Sequence, residues 1–151
     1  LQTIEKEIRE VSHKLSDNFD STQISFTVII RQLIESKSKI GNFKYELDFD
    51  EHINWQNINK KIKVNLYRII QEALQNIIKY ASAKKVSVTF LLNSKDLAVI
   101  IKDDGIGFNT KKKKKGIGIK NMTSRIEKLN GDFNIYSKPN EGSTIKMKIP
   151  I

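Results

Sequence analysis

The chain has 151 residues, about one domain with room for a real hydrophobic core, and 38% of them are apolar against 29% charged. It has no cysteine, which excludes disulfide scaffolds, thiolate metal sites and cysteine nucleophiles, and its two histidines, His13 and His52, are too few for a histidine-rich metal centre. The formal charge of +10 invites a nucleic-acid reading, but Arg9, Arg31, Arg68 and Arg125 are the only arginines among 27 basic residues. Base edges are read mainly by the guanidinium fork, so sequence-specific nucleic-acid binding is not expected.

Residues 1–16 carry Leu1, Ile4, Ile8, Val11 and Leu15 at spacings of three and four, the seam of a helix that needs a partner. Asp17, Asn18 and Asp20 interrupt it. Asp20 or Ser21 can cap a second helix over 22–36, and Gly41 closes the helical region, so residues 1–40 are expected to form a helical segment apart from 41–151. Alternating Phe43, Tyr45, Leu47 and Phe49 predict a half-buried strand over 42–50. Apolar residues from Ile62 to Ile78 at helical spacing predict a helix over 59–81. Strands over 85–92 and 97–102 flank a turn at 93–96. Residues 103–118 are a Gly- and Lys-rich loop without periodicity, with lysines at 111–115. A helix over 119–130 stops at Gly131, and strands over 133–137 and 144–149 are joined by a turn at 139–142. This order predicts an α+β fold with a sheet covered by helices on one face. No apolar run approaches the ~18 residues of a membrane span. The opening at Leu1, with no start methionine or signal peptide, reads as an excised piece of something longer.

Four short elements carry the chemistry. Asp103, Asp104, Gly105, Ile106, Gly107 and Phe108 follow a strand: such an aspartate can accept a hydrogen bond from an exocyclic amine, and the glycines admit a flat ring against the backbone. The plain alternative is a tight Asp-Gly turn. Glu72, Asn76 and Lys79 share one face of the long helix, where hard oxygen donors and a lysine suit a magnesium polyphosphate; the alternative is an ordinary solvated face. Gly116 and Gly118, with Ile119, open the next helix and can bare N–H groups toward an anion. Ser143 and Thr144 bring hydroxyls into the last strand, where threonine is also simply a good strand former.

Together, in this order and spacing, the four resemble the GHKL ATPase superfamily, and within it the ATP-binding domain of sensor histidine kinases linked to LuxR-type response regulators. Residues 66–76 are similar to the N box, 103–108 and 116–122 to the two glycine boxes, and 141–150 to the closing strand motif. The resemblance implies a two-layer GHKL sandwich that binds ATP and Mg2+. It implies that Asn76 ligates magnesium with Glu72 beside it, as the catalytic pair, and that Lys79 approaches the phosphates. It further implies that Asp103 reads the adenine amine, that Gly105 and Gly107 admit the ring, that Gly116, Gly118 and Ile119 bound an ATP lid, and that Ser143 sits near the adenine aspartate. Lys79, Tyr80 and Ala81 stand where this subfamily usually has Lys-His-Ala, and tyrosine is common there in other histidine kinases. The implied activity is transfer of the ATP γ-phosphoryl to a histidine, then to an aspartate of a response regulator. A homodimer through a helical hairpin and a bacterial cytoplasmic location are implied too, with no nucleic acid or membrane contact by this piece. His13 is not expected to be the acceptor, because Lys14 follows it where an acidic residue is normal. Residues 8–16 look more like the second helix of the hairpin, with the acceptor upstream of Leu1. His52 is expected at the surface. The alternatives are a GHKL serine kinase of the anti-sigma type, an ATP-driven clamp, and a non-catalytic domain binding a partner.

Overall fold

In the computed structural model, which describes residues 25–107 and 117–151, the first helix begins at a serine. The Ser25 hydroxyl accepts the Val28 N–H and opens α1 (Phe26–Gly41). The helix starts four residues after the expected 22 and runs five past the expected 36. Asn42, with φ of 53°, takes the left-handed cap position, and Phe43 N–H returns to the Ser38 carbonyl. Gly41 serves packing instead: a Cβ there would lie 2.8 Å from Ile78 Cγ1 and from the Phe43 ring.

Strand β1 (Lys44–Phe49) is followed by a 3-10 turn (Trp55–Asn57) and then α2 (Lys60–Asn76), capped by the Asn59 side chain on Lys61 N–H. Strands β2 (Lys85–Asn93) and β3 (Asp96–Asp103) precede α3 (Ile117–Lys128), which leads into β4 (Asp132–Ser137) and β5 (Ser143–Pro150). The sheet order is β1-β2-β3-β5-β4. β1 and β2 are parallel with α2 as their crossover, and the other pairs are antiparallel. The inward faces of the strands alternate as the sequence implies. Val86, Val88 and Phe90, then Leu97, Val99 and Ile101, then Ile145, Met147 and Ile149 meet the helices. On the other face Lys102, Lys146 and Lys148 are exposed and Thr89 and Ile100 only half-buried. This is a mixed sheet covered on one face, the α+β class expected.

Phe26, Ile30, Leu33 and Ile34 of α1 belong to the same buried cluster as α2 and the sheet. The change of hydrophobic period at residue 42 marks a helix-to-strand change, which looks the same in sequence whether or not it is also a domain boundary. The helix expected over 59–81 is α-helical only to Asn76 and continues as a π-helical turn, Ile77–Ala81, closed by Ser82 in the left-handed region. Five residues are too few for their spacing to distinguish the two windings. The seam over 1–16, His13, Asp20, Ser21, the lysines 111–115 and Gly116 lie outside the described residues. His52 is exposed, its ring 2.9 Å from Asp50.

Candidate functional site

The inward alternation of β3 runs Leu97, Val99, Ile101, Asp103, so a carboxylate takes the last core-facing position of a hydrophobic strand. Asp103 is 3% exposed. Both its oxygens are held: Oδ1 accepts the Gly105 N–H at 2.9 Å, and Oδ2 accepts the hydroxyl of Ser143, which is its register partner on β5. A buried carboxylate survives only with such donors. The next residue points the other way. Asp104 Oδ1 accepts the N–H groups of Lys84 and Lys85 at 2.8 and 2.9 Å, which fixes the loop to the start of β2 and holds the Asp104 carboxyl below its ordinary pKa.

Beyond Asp103 the chain makes two close approaches that side chains would block. A Cβ at Gly105 would overlap the carbonyl of Ala81, which also accepts the Ile106 N–H at 2.8 Å. Gly107, with φ of 61°, lies against the Lys138 carbonyl, and Asn140 N–H donates to the Ile106 carbonyl. The loop is thus seated between the π turn and the β4–β5 hairpin.

The second cluster is on α2. Glu72 and Asn76, one turn apart and half-buried, face the first turn of α3. A Cβ at Gly118 would run into Glu72 Oε1 and lie 3.1 Å from Asn76 Nδ2. Next to Asn76, Gln75 accepts a hydrogen bond from Lys37 of α1 at 3.1 Å. Lys79 and Tyr80 are exposed on the π turn, and Ile119 packs against the core.

The structure therefore gathers Asp103, Gly105, Gly107 and Ser143 at one place, and Glu72, Asn76 and Gly118 at another. The π turn connects them, rising from Asn76 and meeting Gly105 at Ala81. Sequence reasoning missed Asp104 as the tie to β2. The signal was available, since two successive residues at a strand end cannot both face inward. It also missed Asn140 and the Ala81 carbonyl, which act through backbone groups and leave no mark in residue type.

Among the described residues no three His, Cys, Asp or Glu side chains cluster as a metal cage. The Glu72 carboxylate and Asn76 amide still fit magnesium, which takes one or two protein oxygens and completes its shell with waters and substrate phosphates. No helix among the described residues is long and apolar enough to cross a membrane.

The sequence profile of the histidine kinase-, DNA gyrase B-, and HSP90-like ATPase family matches residues 62–151. The chain belongs to that family. Within it, the chain is similar to two curated histidine kinases. One is the signal transduction histidine-protein kinase/phosphatase DegS of Brevibacillus brevis, 32% identical over 97% of this chain and 41% of that protein. The other is the oxygen sensor histidine kinase NreB of Staphylococcus carnosus (strain TM300), 33% identical over 72% of this chain and 33% of that protein. The chain spans well under half of either relative. Its fold also matches solved structures. The histidine kinase domain of the Erythrobacter litoralis EL346 blue-light activated histidine kinase aligns with a TM-score of 0.71 at 16% identity, covering 84% of this chain and 61% of that one. The Acinetobacter baumannii histidine kinase AdeS aligns at 0.68 and 17%, covering 99% and 82%.

Proposed function

We propose that this domain binds Mg-ATP and serves a sensor histidine kinase, directing the γ-phosphoryl to a histidine of the protein that contains it, for passage to an aspartate of a response regulator. The observation that carries this reading is the buried Asp103 carboxylate, fixed by Gly105 N–H and the Ser143 hydroxyl at the rim of the hydrophobic core. A negative acceptor kept there at the cost of desolvation suits a ligand that brings its own donor, as the adenine amine does. Gly105 and Gly107 leave backbone, not side chain, beside it.

Bound Mg-ATP supplies the transferable phosphoryl group and the metal charge that offsets its oxygens. The chain supplies placement. Asn76 would offer its amide oxygen to the metal, Glu72 would accept from the waters around it or orient the phosphate end, and Lys79 would add positive charge from the exposed π turn. Gly118 lets the first turn of α3 come against Glu72 and Asn76, and Ile119 anchors that turn on the core. Phosphoryl transfer needs little else from a protein than positioning and charge compensation. The proposed partners are a receiver domain and a second copy of the protein through helices that include the 1–16 seam, and the proposed setting is the bacterial cytoplasm.

Incubation of the containing protein with γ-labelled ATP and Mg2+ tests the proposal. A histidine kinase gives label lost in acid and kept in base. Label with the reverse stability, a serine phosphoester, overturns histidine transfer in favour of a GHKL serine kinase.

A further inference from the structure

Helices α2 and α3 pack antiparallel, held at one end by a hydrogen bond and meeting at the other in a close approach at a glycine. Arg125 Nη1 donates to Asn65 Oδ1 at 3.2 Å, partly buried. Gly118 meets Glu72 and Asn76 at the other end. Asn65 and Glu72 are seven residues apart on α2, and Gly118 and Arg125 are seven apart on α3. Seven residues rise about 10.5 Å, two turns, on either helix. Asn65 is itself anchored, since its Nδ2 donates to the Lys61 carbonyl at 2.8 Å. The contacts between these points are less selective. Met122 and Ile126 are buried against α2, and apolar side chains tolerate a slide along a helix better than a hydrogen bond does. Arg68, 7% exposed, lies in the same seam, and burial followed by the Arg125 charge lowers its pKa. The seam therefore already holds two guanidinium groups near each other, a cost that Arg125 has to repay.

We infer that Arg125 and Asn65 are a positioning pair that sets the register of α3 along α2, so that Gly118 and the first turn of α3 sit on Glu72 and Asn76. Neither residue touches the nucleotide in this arrangement; both act through Gly118. The inference rests on the proposed nucleotide site and assigns it a specific sensitivity. A slipped α3 disturbs the phosphate end, next to Glu72 and Asn76, and leaves the base end, built by Asp103, Ser143 and the hairpin, as it was.

The test compares ATP with adenosine on the full 151-residue chain by calorimetry, using wild type, Arg125→Ala, Arg125→Lys and Asn65→Asp. Arg125→Ala is expected to weaken Mg-ATP by about tenfold, the scale of one lost hydrogen bond to a charged group, with adenosine unchanged. Arg125→Lys keeps the charge without the planar fork and is expected to recover only part of the loss. Asn65→Asp keeps the acceptor for Arg125 but loses the Nδ2 donor to the Lys61 carbonyl, so it is expected to show a smaller loss than Arg125→Ala, falling on Mg-ATP and not on adenosine. Thermal melts report whether each variant folds, and Asn65→Asp keeps the test available if Arg125→Ala does not. An equal loss for ATP and adenosine, or no loss for either, overturns the inference while leaving the nucleotide site standing. Failure of the wild type to bind either ligand overturns the site itself.

Discussion

Replacing Asp103 with asparagine removes a charge and keeps the shape at the most enclosed polar position of the site. The fold should tolerate it. The new Oδ1 can still accept the Gly105 N–H, and the Ser143 hydroxyl can rotate to accept from the new Nδ2. The stability cost should stay within about 1 kcal/mol, one neutral hydrogen bond exchanged for another. The ligand has no such freedom, because an exocyclic adenine amine only donates, and it would meet an amide that also donates. Losing a hydrogen bond to a charged group costs about 1.5–3 kcal/mol, a ten- to hundredfold fall in affinity. With Asp103 3% exposed, water cannot replace the lost acceptor, which favours the upper half of that range. Calorimetric titration with adenosine and inosine reads this cleanly. Inosine presents a carbonyl oxygen where adenosine presents the amine, so Asp103→Asn should lose affinity for adenosine and lose its preference over inosine. A folded Asp103→Asn protein with unchanged adenosine affinity and unchanged preference would refute the assignment.

Asn76→Ala should leave adenosine binding intact while removing the gain in ATP affinity that Mg2+ confers, seen by titrating ATP with and without the metal; an unaltered Mg2+ effect would place the ion elsewhere. Gly107→Ala forces a side chain into φ of 61° and against the Lys138 carbonyl. The backbone term alone is about 1–2 kcal/mol, so the melting temperature should drop by at least about 3 °C. Asp50 accepts N–H bonds from Leu92 and His52 and the His52 ring, which together lower its pKa from 3.8 to about 2. A depressed folded-state pKa means stability that is complete above about pH 4 and lost as pH falls through about 2. Melting temperature followed from pH 5 to pH 2 should therefore fall less steeply in Asp50→Asn than in wild type.

Much of this was legible in residue order. Strand alternation located β1 to β5 to within a residue or two, because one face of the sheet is buried and the other is not, which is the condition under which period-2 patterning is clean. The helix over 60–76 and the tightly packed Gly105 and Gly107 were legible in residue type and spacing. The membership of α1 in the catalytic core was not, since Ile30 and Ile34 look alike whether they face a sheet or a partner helix. The π turn was hidden for a related reason: Ile77 and Ile78 fit either winding. Asn140 and Ala81 contribute through the backbone, and Arg125 through a partner 60 residues away, so neither kind of contact writes a local pattern.

The central claim is that one ligand joins the two clusters, its base at Asp103 and its phosphates at Glu72 and Asn76. A crystal structure of the chain with a non-hydrolysable ATP analogue and Mg2+ tests it most directly. The account predicts the adenine amine within hydrogen-bond distance of Asp103 and the metal bound through Asn76. A nucleotide whose base lies away from Asp103, or a metal with no ligand from α2, would contradict it.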